Sequence, residues 1–232
     1  MKKLLPIVGI LLLGAILLNA CKKDYYIDTG LADPHYKGTI YDYLANNPLL
    51  LDTIAYIIER AGLKETLQKD SVTFFSPTDD AIRRAMDDLN EYRYFSLEDS
   101  VFLKDIDPAV WKRFLSMYIM DGRHLAKDFA RVDPNNVFAY PGINYVMQSG
   151  YIFNIGLIYE NYNGVEAVGA RLLRITDISF DPMTFKNNPS EIVATSDIQP
   201  TNGVLHVLST RHTFGFRGNA FLQMAEEYLL NR

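Results

Sequence analysis

The chain has 232 residues, of which 48% are hydrophobic and 22% charged, a composition ordinary for a globular protein and apolar enough for one sizeable core. Its net charge of −5 disfavours nucleic acid as a partner and also disfavours electrostatic attachment to an anionic lipid surface. The single cysteine excludes a disulfide within the chain, so an exported form would depend on its core for stability.

The N-terminus has the pattern of a secretory leader. Lys2 and Lys3 form a short basic segment. The roughly 15 residues from Leu4 to Leu18 that follow carry no charge, which is the length of the apolar part of a signal peptide. An uncleaved transmembrane anchor is the alternative interpretation, but a spanning helix needs ~20 apolar residues and this run is shorter. Both interpretations place the rest of the chain outside the cytoplasm.

The lone cysteine directly follows this leader. Leu18-Asn19-Ala20-Cys21 resembles a bacterial lipobox. The resemblance implies that residues 1–20 are removed as a signal peptide, by cleavage before Cys21, and that this cysteine is acylated, for example with palmitate. Lys22-Lys23-Asp24 is similar to the surface-export signals of Bacteroidota outer-membrane lipoproteins. We therefore expect a protein that is lipid-anchored in the cell outer membrane and surface-exposed, with residues 21–35 as a lipidated tether.

The first part of the domain is predicted to be helical, because apolar residues recur there at helical spacing. Thr39 and Asp107-Pro108 are predicted to begin two of the helices, since a threonine or aspartate can cap the N-terminus and proline suits the first turn. Thr78 is predicted to cap another helix, with two aspartates in its first turn. Gly122 is predicted to end a helix. Residues 90–105 show no clear period and are predicted to form a loop.

Strands are predicted mainly in the second half of the chain, with one early strand from Val72 to Phe75. Six later segments are also read as strands, namely residues 137–140, 143–148, 151–159, 165–175, 192–195 and 204–208. Asn163-Gly164 and Asn202-Gly203 are predicted to form tight turns. The last element, residues 221–230, is predicted to be a short amphipathic helix. Helices followed by a mainly antiparallel sheet indicate the α+β class, and we expect one domain.

Two segments, in this order, resemble the signatures of the fasciclin-like family. The first, residues 72–82 (VTFFSPTDDAI), has a strand, a proline turn, a capping threonine and an acidic helix start. The second, residues 202–208 (NGVLHVL), has a turn that leads into a central strand. The resemblance covers residues 36–215 and implies a single fasciclin-like domain, with N-terminal helices packed on a mainly antiparallel β-sheet or wedge. Residues 216–232 would then form a C-terminal helical extension.

The chain departs from the family at one position between these signatures. The family usually has a Tyr-His pair at the end of a helix, and here Tyr118 is present but Ile119 replaces the histidine. The integrin-type adhesion linked to this region in some members is therefore not transferred to this chain.

The sequence lacks the motifs of common catalytic sites. It has no HExxH zinc motif, no glycine-rich phosphate loop and no GxSxG elbow. We therefore expect no enzymatic activity, no metal and no cofactor. His206 lies within a predicted strand and is interpreted as a hydrogen-bonded core residue rather than a base. A hydrolase using two scattered carboxylates is the least favoured alternative.

Tyrosine is abundant, with 15 Tyr against 1 Trp, and several of its neighbours are polar. Tyr159, Asn161, Tyr162 and Asn163 cluster around the predicted hairpin tip. A tyrosine ring has an apolar face and a polar end, which suits a sugar, although these rings could instead pack against neighbouring loops. The sequence thus predicts a surface-anchored binding or cell adhesion module that contacts glycan or protein partners. The alternative is an accessory structural subunit of an outer-membrane glycan uptake complex, bound to its transporter protein.

Overall fold

The computed structural model describes residues 33–183 and 187–231, so Cys21, the predicted signal peptide and most of the predicted tether lie outside the described residues. The described residues from Pro34 onward form one compact unit. Its helices are α1 Ile40–Ala45, α2 Asp52–Arg60, α3 Lys64–Lys69, α4 Asp79–Phe95, α5 Pro108–Leu115 and α6 Ala220–Leu230. In the part of the chain that the structure describes, no helix is long and apolar enough to cross a membrane.

Seven strands form one sheet in the order β2-β1-β7-β6-β5-β4-β3. The strands are β1 Val72–Ser76, β2 Ile119–Asp121, β3 Ile143–Val146, β4 Ile152–Tyr159, β5 Arg171–Asp177, β6 Ser190–Ile198 and β7 Gly203–Leu208. Neighbouring strands are antiparallel except β1 and β7, which run parallel with Phe74 opposite Leu205. The backbone N–H of Gln148, just after β3, donates to the carbonyl of Ile119 in β2 at 2.9 Å, so the sheet nearly closes on itself.

One connected cluster of buried apolar side chains joins the helices to the sheet. Trp111 of α5 and Phe74 and Phe75 of β1 are fully buried in it, together with Ile54 and Ile58 of α2. Burial of each such side chain contributes about 1.5–3 kcal/mol. The expected α+β architecture, with N-terminal helices on a mainly antiparallel sheet, is therefore confirmed.

Two of the predicted helix starts are confirmed in detail. At the start of α1 the Thr39 hydroxyl accepts from the backbone N–H of Asp42, and the Asp42 carboxylate accepts from the backbone N–H of Thr39. This reciprocal pair is a capping box. At the start of α5 the Asp107 carboxylate accepts from the backbone N–H of Ala109 at 2.8 Å, and Pro108 occupies the first turn.

The predicted role of Thr78 was wrong. Thr78 precedes α4 at the cap position, but its hydroxyl makes no capping bond and is buried without a hydrogen-bond partner among the described residues. The carboxylate of Asp79 caps a different helix, because it accepts from the backbone N–H groups of Asp52 and Ile54 at 3.1 and 3.0 Å. Asp79 therefore ties the start of α4 to the start of α2.

Three further predictions about single elements were wrong. Helix α4 continues to Phe95 through the first part of the segment predicted as a loop, whereas residues 96–102 form neither helix nor strand, as predicted. Buried Arg93, which is paired with Glu226, interrupts the apolar pattern expected of a core-facing helix. Residues 137–140 form turns rather than a strand, with the N–H of Tyr140 bonded back to the carbonyl of Asn136. Gly122 follows strand β2 and does not end a helix.

The Asn202-Gly203 pair lies where the sequence predicts it, in a turn directly before the parallel strand β7, with the N–H of Gly203 bonded to the carbonyl of Pro200 at 3.4 Å, and both residues have further roles. The side chain of Asn202 accepts from the N–H of Ile40 at 2.9 Å and donates to carbonyls at the end of α3 and just beyond it. A Cβ on Gly203 would lie 2.2 Å from the carbonyl oxygen of Val72. Glycine is therefore required at position 203 because β7 lies too close to the backbone of Val72 for a side chain. Asparagine is required at position 202 because its amide joins the start of β7 to α1 and to the end of α3.

Candidate functional site

The loop between β4 and β5 turns tightly at its tip, as the sequence predicts. Asn163 and Gly164 both have positive φ, at 50° and 76°. Such backbone is what a two-residue hairpin turn requires, and Asn-Gly adopts it at low cost. Tyr162 and Val165, on either side, exchange backbone hydrogen bonds of 3.0 Å in both directions. The predicted turn is therefore present, and it fixes the position of Tyr162.

The rest of this loop is held by hydrogen bonds of its own. The Asn161 side-chain oxygen accepts from the backbone N–H of Ala167 at 2.9 Å. The N–H of Glu160 donates to the carbonyl of Ala170 at 2.9 Å, and the N–H of Gly169 returns a bond of 2.8 Å to the carbonyl of Glu160. Asn161 thus uses its acceptor within the loop, and the loop is held by hydrogen bonds between its own residues.

Two arginine side chains contact the ring of Tyr159, the last residue of β4. The guanidinium carbon of Arg171, its cross-strand partner, is 4.8 Å from the centre of the Tyr159 ring. The guanidinium carbon of Arg131 is 5.2 Å from the same ring and 3.7 Å from the ring of Tyr140. We call Arg131, Tyr140, Tyr159 and Arg171 the arginine–tyrosine cluster. Distances below about 6 Å are those of cation–π contacts.

The four residues predicted at the hairpin tip therefore have different environments. Tyr162 is 64% exposed, Asn161 and Asn163 shape the loop, and the ring of Tyr159 is engaged by arginines. The sequence analysis missed Arg131, Tyr140 and Arg171. Arg171 follows only from the observed register, because the predicted strand 165–175 would place Val168 opposite Tyr159, whereas β5 begins at Arg171. Arg131 is brought in by its long-range bridge to Leu157.

A buried network occupies the position where the family's Tyr-His pair is altered. The hydroxyl of Tyr118 is 2.7 Å from Nε2 of His212 and accepts from the backbone N–H of Gly215, also at 2.7 Å. The Tyr118 hydroxyl can therefore donate a hydrogen bond to Nε2 of His212. Burial, and next the charge of Arg84, lower the pKa of His212 to about 3, so the ring is neutral. His212 thus gives Tyr118 an imidazole partner from a distant part of the chain.

His206 is a core residue, as interpreted from the sequence. It is fully buried in β7, and its Nδ1 accepts from the backbone N–H of Asp197 at 3.2 Å. Its Nε2, which must then carry the proton, donates to the carbonyl of His124 at 3.0 Å. Burial lowers the pKa of His206 to about 4. Its hydrogen bonds are all to backbone, so the ring has a structural role.

A third buried group fixes the segment between β7 and α6. The carboxylate of Asp177, fully buried at the end of β5, accepts from the side chains of Arg217 at 3.0 Å and Tyr151 at 3.2 Å, and from the backbone N–H of Ser179. Hydrogen bonding to Asp177 raises the pKa of Arg217, so the guanidinium stays charged. This carboxylate serves packing rather than chemistry.

Two depressions lie beside α6. The smaller has a volume of about 90 Å³ and is lined in part by Arg84 and Phe221, and the larger is an open groove of about 650 Å³ lined in part by Tyr92 and Leu230. Neither is lined by a residue of the hairpin loop. Across residues 33–183 and 187–231, no group of three or more His, Cys, Asp or Glu side chains is placed to hold a metal ion.

The family model of the fasciclin domain matches residues 50–210, so this chain belongs to the fasciclin domain family. Fasciclin domains are generally adhesion-related. A similar solved structure is a FAS1 domain pair from the insect cell adhesion molecule Fasciclin I, with 17% sequence identity and a TM-score of 0.46. The match covers 74% of this chain and 49% of that one, so this chain spans about half its length. No curated protein sequence matches this chain.

Proposed function

We propose that this chain is an adhesion module held at the cell envelope by acyl groups on Cys21, where its folded domain contacts a glycan or protein partner. One observation carries the proposal, namely the fasciclin domain over residues 50–210, since fasciclin domains are generally adhesion-related. The activity is binding. The buried histidines and carboxylates described above support this choice, because each has a packing role that leaves it no place in a reaction.

The pattern of residues 1–24 supports the anchoring part of the proposal. A basic segment, an uncharged apolar run and a small residue before Cys21 are what lipoprotein processing needs. The net charge of −5 favours acyl chains over electrostatic attraction as the link to the membrane. The proposed location is the cell outer membrane, and Lys22-Lys23-Asp24 favours the outer face.

Exposed aromatic side chains give the domain surfaces suited to contacts. Tyr162 is 64% exposed at the hairpin tip and Phe138 is 88% exposed in the turn before β3. Tyr94 and Phe95, 73% and 74% exposed, end helix α4. Aromatic residues are enriched at interfaces because they bury a large area at low entropic cost. They fit a module that acts through its surface.

Metabolic labelling tests the anchor. Cells that express the full chain are grown with an alkyne analogue of palmitate, and a Cys21→Ser variant is the matched control. We expect label on the wild-type chain, none on the variant, and loss of the domain when intact cells are treated with protease. An unlabelled wild-type chain released into the medium would contradict the anchor.

Cell retention tests the adhesion. Cells expressing the wild-type chain are compared with cells in which residues 1–21 are replaced by a non-lipidated secretory leader. We expect only the first to aggregate or to stay on surfaces coated with envelope glycans and proteins from the same culture. Equal retention of the two strains would refute adhesion. Constant co-purification with an outer-membrane transporter, without retention, would favour the accessory-subunit alternative instead.

A further inference from the structure

We propose that the arginine–tyrosine cluster, with Tyr162 beside it, binds an acidic glycan through the carboxylates of its uronic acid units. This inference rests on the proposed function, because it names the ligand class of the binding module. It adds Arg131, Tyr140 and Arg171 to the residues predicted at the hairpin tip, and it names a carboxylate as the group that is bound. The recognising groups are the guanidiniums of Arg131 and Arg171.

The first step of the argument is the convergence of two positive charges. Both guanidinium carbons lie within 5.2 Å of the centre of one ring, that of Tyr159. The two guanidinium carbons are therefore at most about 10 Å apart, and at such a separation like charges repel each other, which the aromatic faces offset only in part. An anion at this position would offset the remainder. The cluster stands out on a chain whose net charge is −5.

The second step is that the guanidinium donors are poorly used. Arg171 is exposed and makes no ion pair or hydrogen bond with any described residue. Arg131 has one loose ion pair, 3.9 Å from Asp133, and its Nε is buried without a partner among the described residues. A guanidinium has five N–H donors in a planar fork that matches a carboxylate. The cluster thus has unused donors of the kind that bind carboxylates in pairs of hydrogen bonds.

The third step concerns what the carboxylate is attached to. Two guanidiniums already contact the Tyr159 ring, which is only partly exposed, so we assign the contact with the sugar face to another ring. Tyr162 lies three residues further on, is 64% exposed, and is held by the Asn163-Gly164 turn. A uronic acid has a carboxylate and an apolar ring face in the same small unit, which suits arginines next to a free tyrosine. Because the loop is already ordered, binding costs little conformational entropy.

The test measures binding of the full chain, purified in mild detergent, by isothermal titration calorimetry. The probes are oligogalacturonate, the same oligomer with its carboxylates methyl-esterified, and poly-L-glutamate. We expect oligogalacturonate to bind with an affinity that falls as salt is raised, and both other probes to bind at least tenfold more weakly. Binding of the ester equal to that of the acid would overturn the proposal, and so would equal binding of poly-L-glutamate.

Variants assign the binding to these residues. Arg171→Gln is expected to lose at least tenfold in affinity for oligogalacturonate, and Tyr162→Ala several-fold without any change in charge. Arg171→Lys keeps the charge but not the fork and should fall between wild type and Arg171→Gln. The matched control is Arg211→Gln, since Arg211 is also exposed and its side chain makes no ion pair or hydrogen bond with the described residues.

Two outcomes separate this inference from the proposed function. If Arg171→Gln binds oligogalacturonate as wild type does, the site assignment is wrong, whatever the adhesion assay gives. If the Arg171→Gln chain loses oligogalacturonate binding while its cells still adhere, the site assignment holds and adhesion uses another surface. Circular dichroism and thermal unfolding of each variant check the fold, and Tyr162→Ala remains decisive should Arg171→Gln be destabilised.

Discussion

The buried hydroxyl of Tyr118 offers a sharp test of how the altered Tyr-His region is stabilised. Tyr118→Phe removes one oxygen and leaves the ring, which packs nearly parallel to Phe214 and Phe216 at 5.9 and 5.7 Å. The lost oxygen is the acceptor for the N–H of Gly215 and the hydrogen-bond partner of His212 Nε2. All of these groups lie in the core, so water does not replace the oxygen.

The magnitude follows from the number of groups left without partners. Each buried polar group that loses its partner costs about 1–3 kcal/mol, and removal of the hydroxyl recovers part of its own desolvation cost. We expect Tyr118→Phe to lower the free energy of unfolding by about 2–4 kcal/mol. For a domain of this size that corresponds to a fall in Tm on the order of 10 °C.

Chemical denaturation by urea, followed by circular dichroism, measures this loss directly. The matched control is Tyr145→Phe, because Tyr145 is partly buried but its hydroxyl makes no hydrogen bond to a described residue. We expect the control to change the free energy of unfolding by less than about 0.5 kcal/mol. If the two variants lose the same amount, the Tyr118 hydroxyl does not stabilise the fold in the way described.

Two further expectations concern buried charge. Glu226→Leu removes the carboxylate that lies 2.9 Å from buried Arg93 and leaves this guanidinium only the more distant and exposed carboxylate of Glu98, at 3.6 Å. We expect this change to lower the free energy of unfolding in urea by about 3 kcal/mol, and the double change Arg93→Met with Glu226→Leu to stay within about 1 kcal/mol of wild type. A double variant less stable than the single one would contradict this. Stability should also fall between about pH 6 and 4, because the unfolded chain protonates His206 and His212 before the folded one does. Each histidine contributes about 1.4 kcal/mol per pH unit, so the two together contribute about 2.7 kcal/mol per unit. Burial, and next the neighbouring carboxyl of Asp52, raise the pKa of Asp79 to about 6, which opposes this trend. Asp79→Asn should therefore steepen the loss of stability in unfolding curves recorded at pH 7, 6 and 5. A wild-type stability that does not change with pH would refute the assignment of buried, neutral histidines.

Local signals predicted the elements that depend on a few adjacent residues. The capping box at Thr39, the Asp107-Pro108 start and the Asn163-Gly164 turn are each complete within one turn of chain, so residue type and spacing are sufficient. The same reasoning failed for Thr78, whose hydroxyl is unused because the neighbouring Asp79 caps a helix that begins 27 residues earlier in the chain.

The candidate site divides in the same way. Tyr162 and its turn follow from the sequence, and Arg171 follows once the hairpin register is known, since it lies opposite Tyr159. Arg131 could not be found in this manner, because the β-bridge to Leu157 that brings it to the ring joins segments far apart in the chain. The sequence around Tyr159 contains no pattern that indicates a contact with a charged side chain from a distant segment.

The sequence by itself determined the family and the α+β class, through its signature segments and the order of its elements, and it determined those helix starts and turns that short-range sterics and hydrogen bonds set. The tertiary structure alone decided which polar groups meet. Tyr118 and His212 are 94 residues apart, and Arg93 and Glu226 are 133 apart, yet each pair forms a buried contact. Such pairings are fixed by the packing of whole helices and strands, because burial of the surrounding apolar surface brings the segments together and leaves each polar group only the partners within reach.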